Sequence, residues 1–419
     1  MDEVEINLAD SSSTGKAGGF YSQNKHPPPM PSDPRLPTRL RSLVDQLGPL
    51  LALIGVWSLF AAMRWDIFPT WENTQSILLQ TAVIGIAALG GTMVIISGGI
   101  DLSVGSLIAL VSVTVALVLR GLGADGGMNG YGAAAIAAAI GVGIAGLCGL
   151  SIGTMVIGRV GRIAALIAGC LVGFIAWRSG LDYRAALPLA AVVAAAAWWG
   201  ESKLNLSIPL SPFIVTLGMW GALRGAAKGL ADNSAVYPPP TPLNSLMRFP
   251  SVSIDASLIL RPQHWWSPGV WIFLALACFV AGVLRYTQFG RHIYAIGSNE
   301  QTARLCGIHV ERVKLKLYAY AALLTGIAGV LQFSFVEVGD PTTGASYELG
   351  VIAAAVIGGA SLSGGVGTIL GTVAGALLMS TINNGCTKIG LEVWMQEIVT
   401  GAIIVTAVAL DKLRHRTAG

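Results

Sequence analysis

Polar side chains that carry chemistry are rare inside the long apolar stretches of this 419-residue chain, so the few that occur there stand out. Asp101 sits in the motif Gly98-Gly-Ile-Asp-Leu-Ser-Val-Gly105, with Ser103 two residues on. Glu348 belongs to Tyr-Glu-Leu (347–349), and Ser361 to a second glycine motif, Gly358-Gly-Ala-Ser-Leu-Ser-Gly-Gly365. Gln80, Thr216, Asn383 and Asn384 place amides and a hydroxyl in or beside other apolar segments. These eight residues are the candidates for a translocation pathway, where amides and hydroxyls would match the donors and acceptors of a small polar solute. Each serves an interhelical hydrogen bond equally well. A charge at the bilayer centre costs ~3 kcal/mol or more, so Asp101 must face protein or water. It is either a pathway residue or a structural carboxylate accepting hydrogen bonds at a helix N-terminus, with Ser103 nearby. The structural reading is favoured, because no titratable partner adjoins it in sequence; Arg224 is a distant candidate partner.

Catalysis is not written in these residues. All five histidines fall in polar segments, so Ser361 has no intramembrane base to make it a nucleophile. No Gly-x-x-x-x-Gly-Lys-Ser/Thr phosphate loop occurs, so any ATP must be bound by another chain. The five cysteines are scattered, without metal or disulfide spacing, and read as small packing residues. No metal, cofactor or nucleic-acid partner is expected.

The elements that position these groups must be membrane helices. The chain is 53% hydrophobic and only 11% charged, against roughly 25% in soluble domains, and its mean hydropathy is +0.67. Apolar stretches long enough to span are expected at 47–63, 76–97, 104–120, 131–155, 163–177, 185–200, 210–230, 268–287, 315–337, 346–363, 366–386 and 394–411. The fold class is an all-α polytopic membrane protein with broken or re-entrant segments. Glycine pairs break helices, and non-helical backbone at membrane depth survives only in protein or beside a wet cavity. Two such motifs therefore point to a transporter with a midplane pathway. Glycine, at 53 residues, far exceeds its usual ~7%. Gly149 and Gly153, and the series Gly367, Gly371 and Gly375, have the spacing that brings helix backbones together.

Lys and Arg set the orientation. Arg35, Arg39 and Arg41, then Arg159 and Arg162, then the group from Arg285 to Lys316, then Lys412, Arg414 and Arg416 all fall on one side if 163–177 and 185–200 cross as a hairpin. That side is the cytoplasm, so both termini are cytoplasmic. The polar segment 1–42, rich in Ser and Pro, is expected to be a disordered tail without a cleavable signal, and 412–419 a second short tail.

Residues 288–314 are the most polar interior segment. Ser298 with Gln301 forms a capping-box pattern, and Gly307 a C-terminal stop. The two turns between, Asn299, Glu300, Gln301, Thr302, Ala303, Arg304, Leu305 and Cys306, are too short to be stable alone and need a docking partner. Thr302, Leu305 and Cys306 share one face. The segment is read as a coupling element, with a solvated connector as the plain alternative.

Gly-Gly-Ile-Asp-Leu-Ser-Val-Gly-Ser (98–106), Pro-Phe-Ile-Val-Thr-Leu-Gly (212–218), Arg224-Gly225, Gly-Arg-His-Ile-Tyr-Ala-Ile-Gly-Ser-Asn-Glu (290–300), Ala-Arg-Leu-Cys-Gly-Ile (303–308), Tyr-Glu-Leu (347–349), Val-Ile-Gly-Gly-Ala-Ser-Leu-Ser-Gly-Gly-Val-Gly (356–367) and Asn383-Asn384-Gly385 occur in this order. Over roughly residues 45–415 the chain resembles the membrane permeases of ribose/xylose-type ABC sugar importers. Branched-chain amino-acid permeases are relatives whose glycine motif lacks the Ser-Leu-x-Gly-Gly form. The resemblance implies a homodimer in the inner membrane, an ATPase bearing two nucleotide-binding domains, and a periplasmic or lipid-anchored sugar-binding protein. It also implies that 290–308 carries the coupling helix, and that the solute is a monosaccharide, a pentose such as xylose or ribose. A nucleoside or branched-chain amino acid importer is the alternative, and an ion-coupled carrier a more remote one. Two departures stand out. Gly350 follows Tyr-Glu-Leu where the family usually has Asp, and residues 159–208 are an insert between two parts of the permease core, 43–158 and 209–411. That insert is expected to be an apolar hairpin on the periphery, added to a core of about ten spans.

Overall fold

The computed structural model describes residues 38–124, 130–158, 210–249 and 267–416, with scattered positions between 172 and 196. The apolar pair expected at 163–177 and 185–200, and the tail 1–37, lie outside the described residues. Leu43–Gly419 forms one compact unit. The helices among the described residues are α1 (Thr38–Met63), α2 (Trp71–Ile96), α3 (Val104–Ala124), α4 (Gly130–Val156), α5 (Pro212–Leu230), α6 (Pro268–Tyr286), α7 (Gln288–Ser298), α8 (Glu300–Leu305), α9 (Val310–Val336), α10 (Tyr347–Ile357), α11 (Ile369–Lys388) and α12 (Val393–Arg416). No named strand occurs among the described residues; one antiparallel bridge joins Val236 to Gly339. Among the described residues six helices (α2, α3, α4, α6, α9 and α11) are long and apolar enough to cross a membrane, and three shorter apolar helices accompany them. The protein is an all-α, multi-pass membrane protein.

α2 is the hub, buried over nearly its whole length. Three of its glycines each admit a neighbour: a Cβ at Gly85 would strike the Phe273 ring on α6, at Gly90 the Ala321 backbone on α9, and at Gly91 the Val351 side chain on α10. A buried Thr92–Thr372 hydroxyl contact of 2.8 Å ties α2 to α11. α4 buries a stripe of small residues at every fourth position, Ala133, Ala137, Gly141, Ala145, Gly149 and Gly153. Gly149 lies on the Tyr318–Ala322 backbone of α9, and Gly153 on Leu315, the close approach that such spacing permits. The series 367–371–375 is different. Gly367 precedes α11 and touches Ile96, whereas Gly371 and Gly375 rest on the backbone of Gly358 and Ala354. Only Gly375 therefore packs helix to helix; Gly371 packs on the turn that ends α10, and Gly367 serves the loop.

Three non-helical segments interrupt the bundle. The first, 97–103, joins α2 to α3. It climbs alongside α9: Gly99 meets the Tyr318 hydroxyl near the start of that helix, while Ile108 and Val111 of α3 lie beside Gly329 in its last third. The second, 337–346, descends along α3, with Gly339 against Val113 and Ala116 and Gly344 against Gly105 and Ile108. It leads into α10, which has only 11 residues. The span expected at 346–363 is thus a short helix, entered through a run of turns, that stops at the second glycine motif. The third segment, 358–368, turns back into α11 through Gly359, Gly364 and Gly365, all at positive φ.

Candidate functional site

The first two segments meet α3, α5, α9 and α10 in one polar seam. Asp101 Oδ1 accepts from the Ser103 N–H at 2.8 Å and from its hydroxyl at 2.6 Å, just before the first turn of α3. The carboxylate thus holds the start of a helix, where the macrodipole favours negative charge. Thr216 on α5 donates to the Ile100 carbonyl at 3.0 Å, so α5 supports the same break. One turn further along α5, Trp220 Nε1 donates to Glu348 Oε1 at 3.1 Å. One turn further still, Arg224 donates to the carbonyls of Pro341 (3.0 Å) and Thr343 (2.6 Å). Arg224 is therefore not the partner of Asp101. It satisfies backbone carbonyls in a run of turns that no helical ladder pairs. Gln332 on α9 donates to the Thr343 hydroxyl at 3.2 Å and accepts from the Tyr347 hydroxyl at 3.3 Å. The other carboxylate oxygen of Glu348 is buried, has no hydrogen-bond partner, and lies where a Cβ at Gly105 would be.

Of the eight candidates, Asp101, Ser103, Thr216 and Glu348 come together here. Ser361 does not: it is buried in the turn of the second motif, where its hydroxyl accepts from the Ser363 N–H at 3.3 Å. Gln80 is half-buried on α2. Asn383 and Asn384 lie near the far end of α11, where Asn384 is buried with an unpartnered carbonyl oxygen. Two seam residues escaped the sequence reading, Trp220 and Tyr318. Trp220 had a signal: Thr216, Trp220 and Arg224 recur at i, i+4 and i+8 on one face of α5. Among the described residues no three His, Cys, Asp or Glu side chains gather as metal ligands.

The second region is the polar segment 288–314. Residues 288–298 form a helix, α7, so Ser298 ends one helix and does not cap the next. Asn299 does so instead. Its backbone is extended (φ −159°), and its side-chain oxygen accepts from the Thr302 N–H at 2.9 Å. The Ser298/Gln301 box is therefore displaced by one residue, because an Asx side chain one position later reaches the same orphan donor. Gly307, at φ +82°, terminates α8 as expected. Ala303 is the buried residue of α8, while Gln301, Thr302, Arg304 and Cys306 are exposed and Leu305 is 88% exposed. Leu305 is thus the large apolar side chain that this surface of α8 leaves uncovered.

α7 connects this surface to both glycine motifs. The Gly365 N–H donates to the Ile96 carbonyl at 2.8 Å, joining the two breaks. Gly297 is wedged against that pair, where a Cβ would overlap the Ile96 oxygen. The Tyr294 hydroxyl donates to the Gly367 carbonyl at 2.8 Å. Beyond Asn299, Glu300 accepts from Lys314 Nζ at 2.7 Å and from Arg304 at 2.8 Å, and Arg304 also pairs with Glu311. Partial burial raises the Glu300 carboxyl, but the bonds from Lys314 and Arg304 outweigh it and hold the group below its ordinary range. The bonds to Glu311 and Glu300 hold the Arg304 guanidinium above its ordinary value.

Residues 73–408 match the family described as branched-chain amino acid transport system / permease component. The ribose import permease protein of Bacillus subtilis is 32% identical over 371 residues, covering 88% of this chain and 94% of the relative. The xylose transport system permease protein of Escherichia coli is 33% identical over 390 residues, covering 90% and 94%. A probable ABC transporter permease protein of Escherichia coli is 29% identical over 375 residues, covering 88% and 90%. No solved structure matches the chain. A membrane bundle with these motifs, matched over most of its length, belongs to the branched-chain amino acid transport system / permease component family.

Proposed function

We propose that this chain is the membrane subunit of an ABC importer that carries a monosaccharide, a pentose such as xylose or ribose. The observation that carries the reading is the pair of relatives named for ribose and xylose, aligned along about nine tenths of this chain. A separate ATPase with two nucleotide-binding domains binds and hydrolyses the ATP, and a periplasmic or lipid-anchored binding protein delivers the sugar. The chain works as a homodimer in the cytoplasmic membrane with both termini inside. The open face of α5, where Gly218, Gly221 and Gly225 have no neighbour within 4 Å, supports close approach of a second helix. The solute passes beside the seam of Asp101, Ser103, Thr216 and Glu348. α8, from Asn299 to Gly307, takes up the motion of the ATPase, and the exposed Leu305 supports that role. The peripheral insert at 159–208 and the core of about ten spans remain part of the same reading.

The test is uptake of labelled xylose and ribose into vesicles holding the permease, its ATPase and its binding protein. Uptake should require ATP and the binding protein. Leu305→Asp should abolish sugar-stimulated ATP hydrolysis and release the ATPase from the membrane, while the permease still inserts. Full stimulation in that variant would remove α8 from the mechanism.

A further inference from the structure

α8 is a six-residue helix with one buried side chain, Ala303. It is followed by Gly307 at φ +82°, a position where the chain turns without steric cost. A helix so weakly packed would swivel on that glycine when a partner pushes it, and little displacement would reach the membrane. Beside it lies a cavity of about 200 Å³ whose lining includes Glu300, Arg304, Glu311 and Lys314. What spans the gap is charge. Glu300 at the start of α8 bonds Lys314 on α9 at 2.7 Å and Arg304 at 2.8 Å, and Arg304 pairs with Glu311 on α9. Signs alternate along this chain of four, and Lys314 is only 17% exposed, which shields its bond from solvent. A network of this kind resists displacement better than an isolated surface pair.

We infer that Glu300, Arg304, Glu311 and Lys314 form an electrostatic latch that fastens the coupling helix to α9, so that a push on α8 moves α9 and does not bend the joint at Gly307. The latch rests on the reading of α8 as the ATPase-docking helix. α9 then carries the displacement to the pathway. Tyr318, one turn beyond Lys314, lies under Gly99 of the first break, and Gln332 near the far end holds Thr343 and Tyr347. These four are positioning residues, since none touches the solute.

Lys314→Glu should leave the ATPase bound and hydrolysing, and lower sugar transported per ATP by roughly fivefold or more, the scale of coupling between directly bonded charges. Reversing all four signs, with Glu300→Lys, Arg304→Glu, Glu311→Arg and Lys314→Glu together, restores the alternation and should recover most of that ratio. Lys314→Met, which keeps the stem and cannot invert the network, should fall between. Pull-down of the ATPase by the permease, measured in parallel, separates the two ideas. Normal binding with an unchanged transport ratio in Lys314→Glu would overturn the latch. So would failure of the fourfold reversal to recover transport while the ATPase remains bound. Unimpaired ATPase binding in Leu305→Asp would instead overturn the docking role of α8.

Discussion

Gly105 shows how a single residue links two motifs that are far apart in sequence. Its α-carbon faces Glu348 Oε2 and the Gly344 carbonyl, and a Cβ would overlap both. Gly105→Ala should therefore destabilise the bundle by about 1–3 kcal/mol, the usual cost of forcing a methyl into a packed interior. Thermal unfolding of the purified protein in detergent checks this. The expected shift is downward, larger than for Gly121→Ala at an open position on the same helix, where nothing lies within 4 Å. Equal stability of the two variants would mean that the Glu348 contact carries no weight. Asp101 belongs to the same scale. Both of its hydrogen bonds come from Ser103, so it orders the start of α3 whatever it does for a solute.

At the scale of elements, the coupling unit is two helices joined by an Asn. α7 is fixed to both glycine motifs by backbone contact, whereas α8 is held by ion pairs. Their responses to pH should differ accordingly. Glu300 ionises below its ordinary value, so the stabilisation it gives is complete above pH ~4.5 and is lost as pH falls through the depressed folded-state value. Hydrogen-exchange protection factors at 299–307, corrected for the intrinsic pH dependence of exchange, should thus be constant from about pH 8 to 5 and drop only in stronger acid. Protection of α7 should persist through that fall, because no carboxylate holds it. Loosening of α8 near neutral pH would contradict the assignment of its partners.

At the scale of the molecule, α2 gathers α6, α9, α10 and α11 around itself, and the polar seam lies beside the extended segments. Nothing in this arrangement supplies energy: a bundle shifts between states only as far as a ligand or partner binds them differently. The purified chain alone in lipid vesicles should neither hydrolyse ATP nor concentrate pentose, with or without an ion gradient. Adding the ATPase and the binding protein should bring both activities. Accumulation by the lone chain under a sodium or proton gradient would favour an ion-coupled carrier.

Much of this was legible in the sequence. Long apolar runs without alternation point to a helical membrane protein, because lipid admits only helices and closed barrels and barrel strands alternate. The glycine motifs announced broken segments, and Asn299 to Gly307 announced a short exposed helix. The cap shifted by one residue, from Ser298 to Asn299, because local spacing fits both and only the preceding helix α7 excludes one. The partner of Arg224 was not legible. Its hydrogen bonds go to backbone carbonyls about 120 residues away, at separations |i−j| of 117 and 119, and carbonyls leave no trace in residue type. The meeting of Gly297, Ile96 and Gly365 was hidden for the same reason. Each glycine declares that something comes close, but what comes close is decided only when distant helices pack.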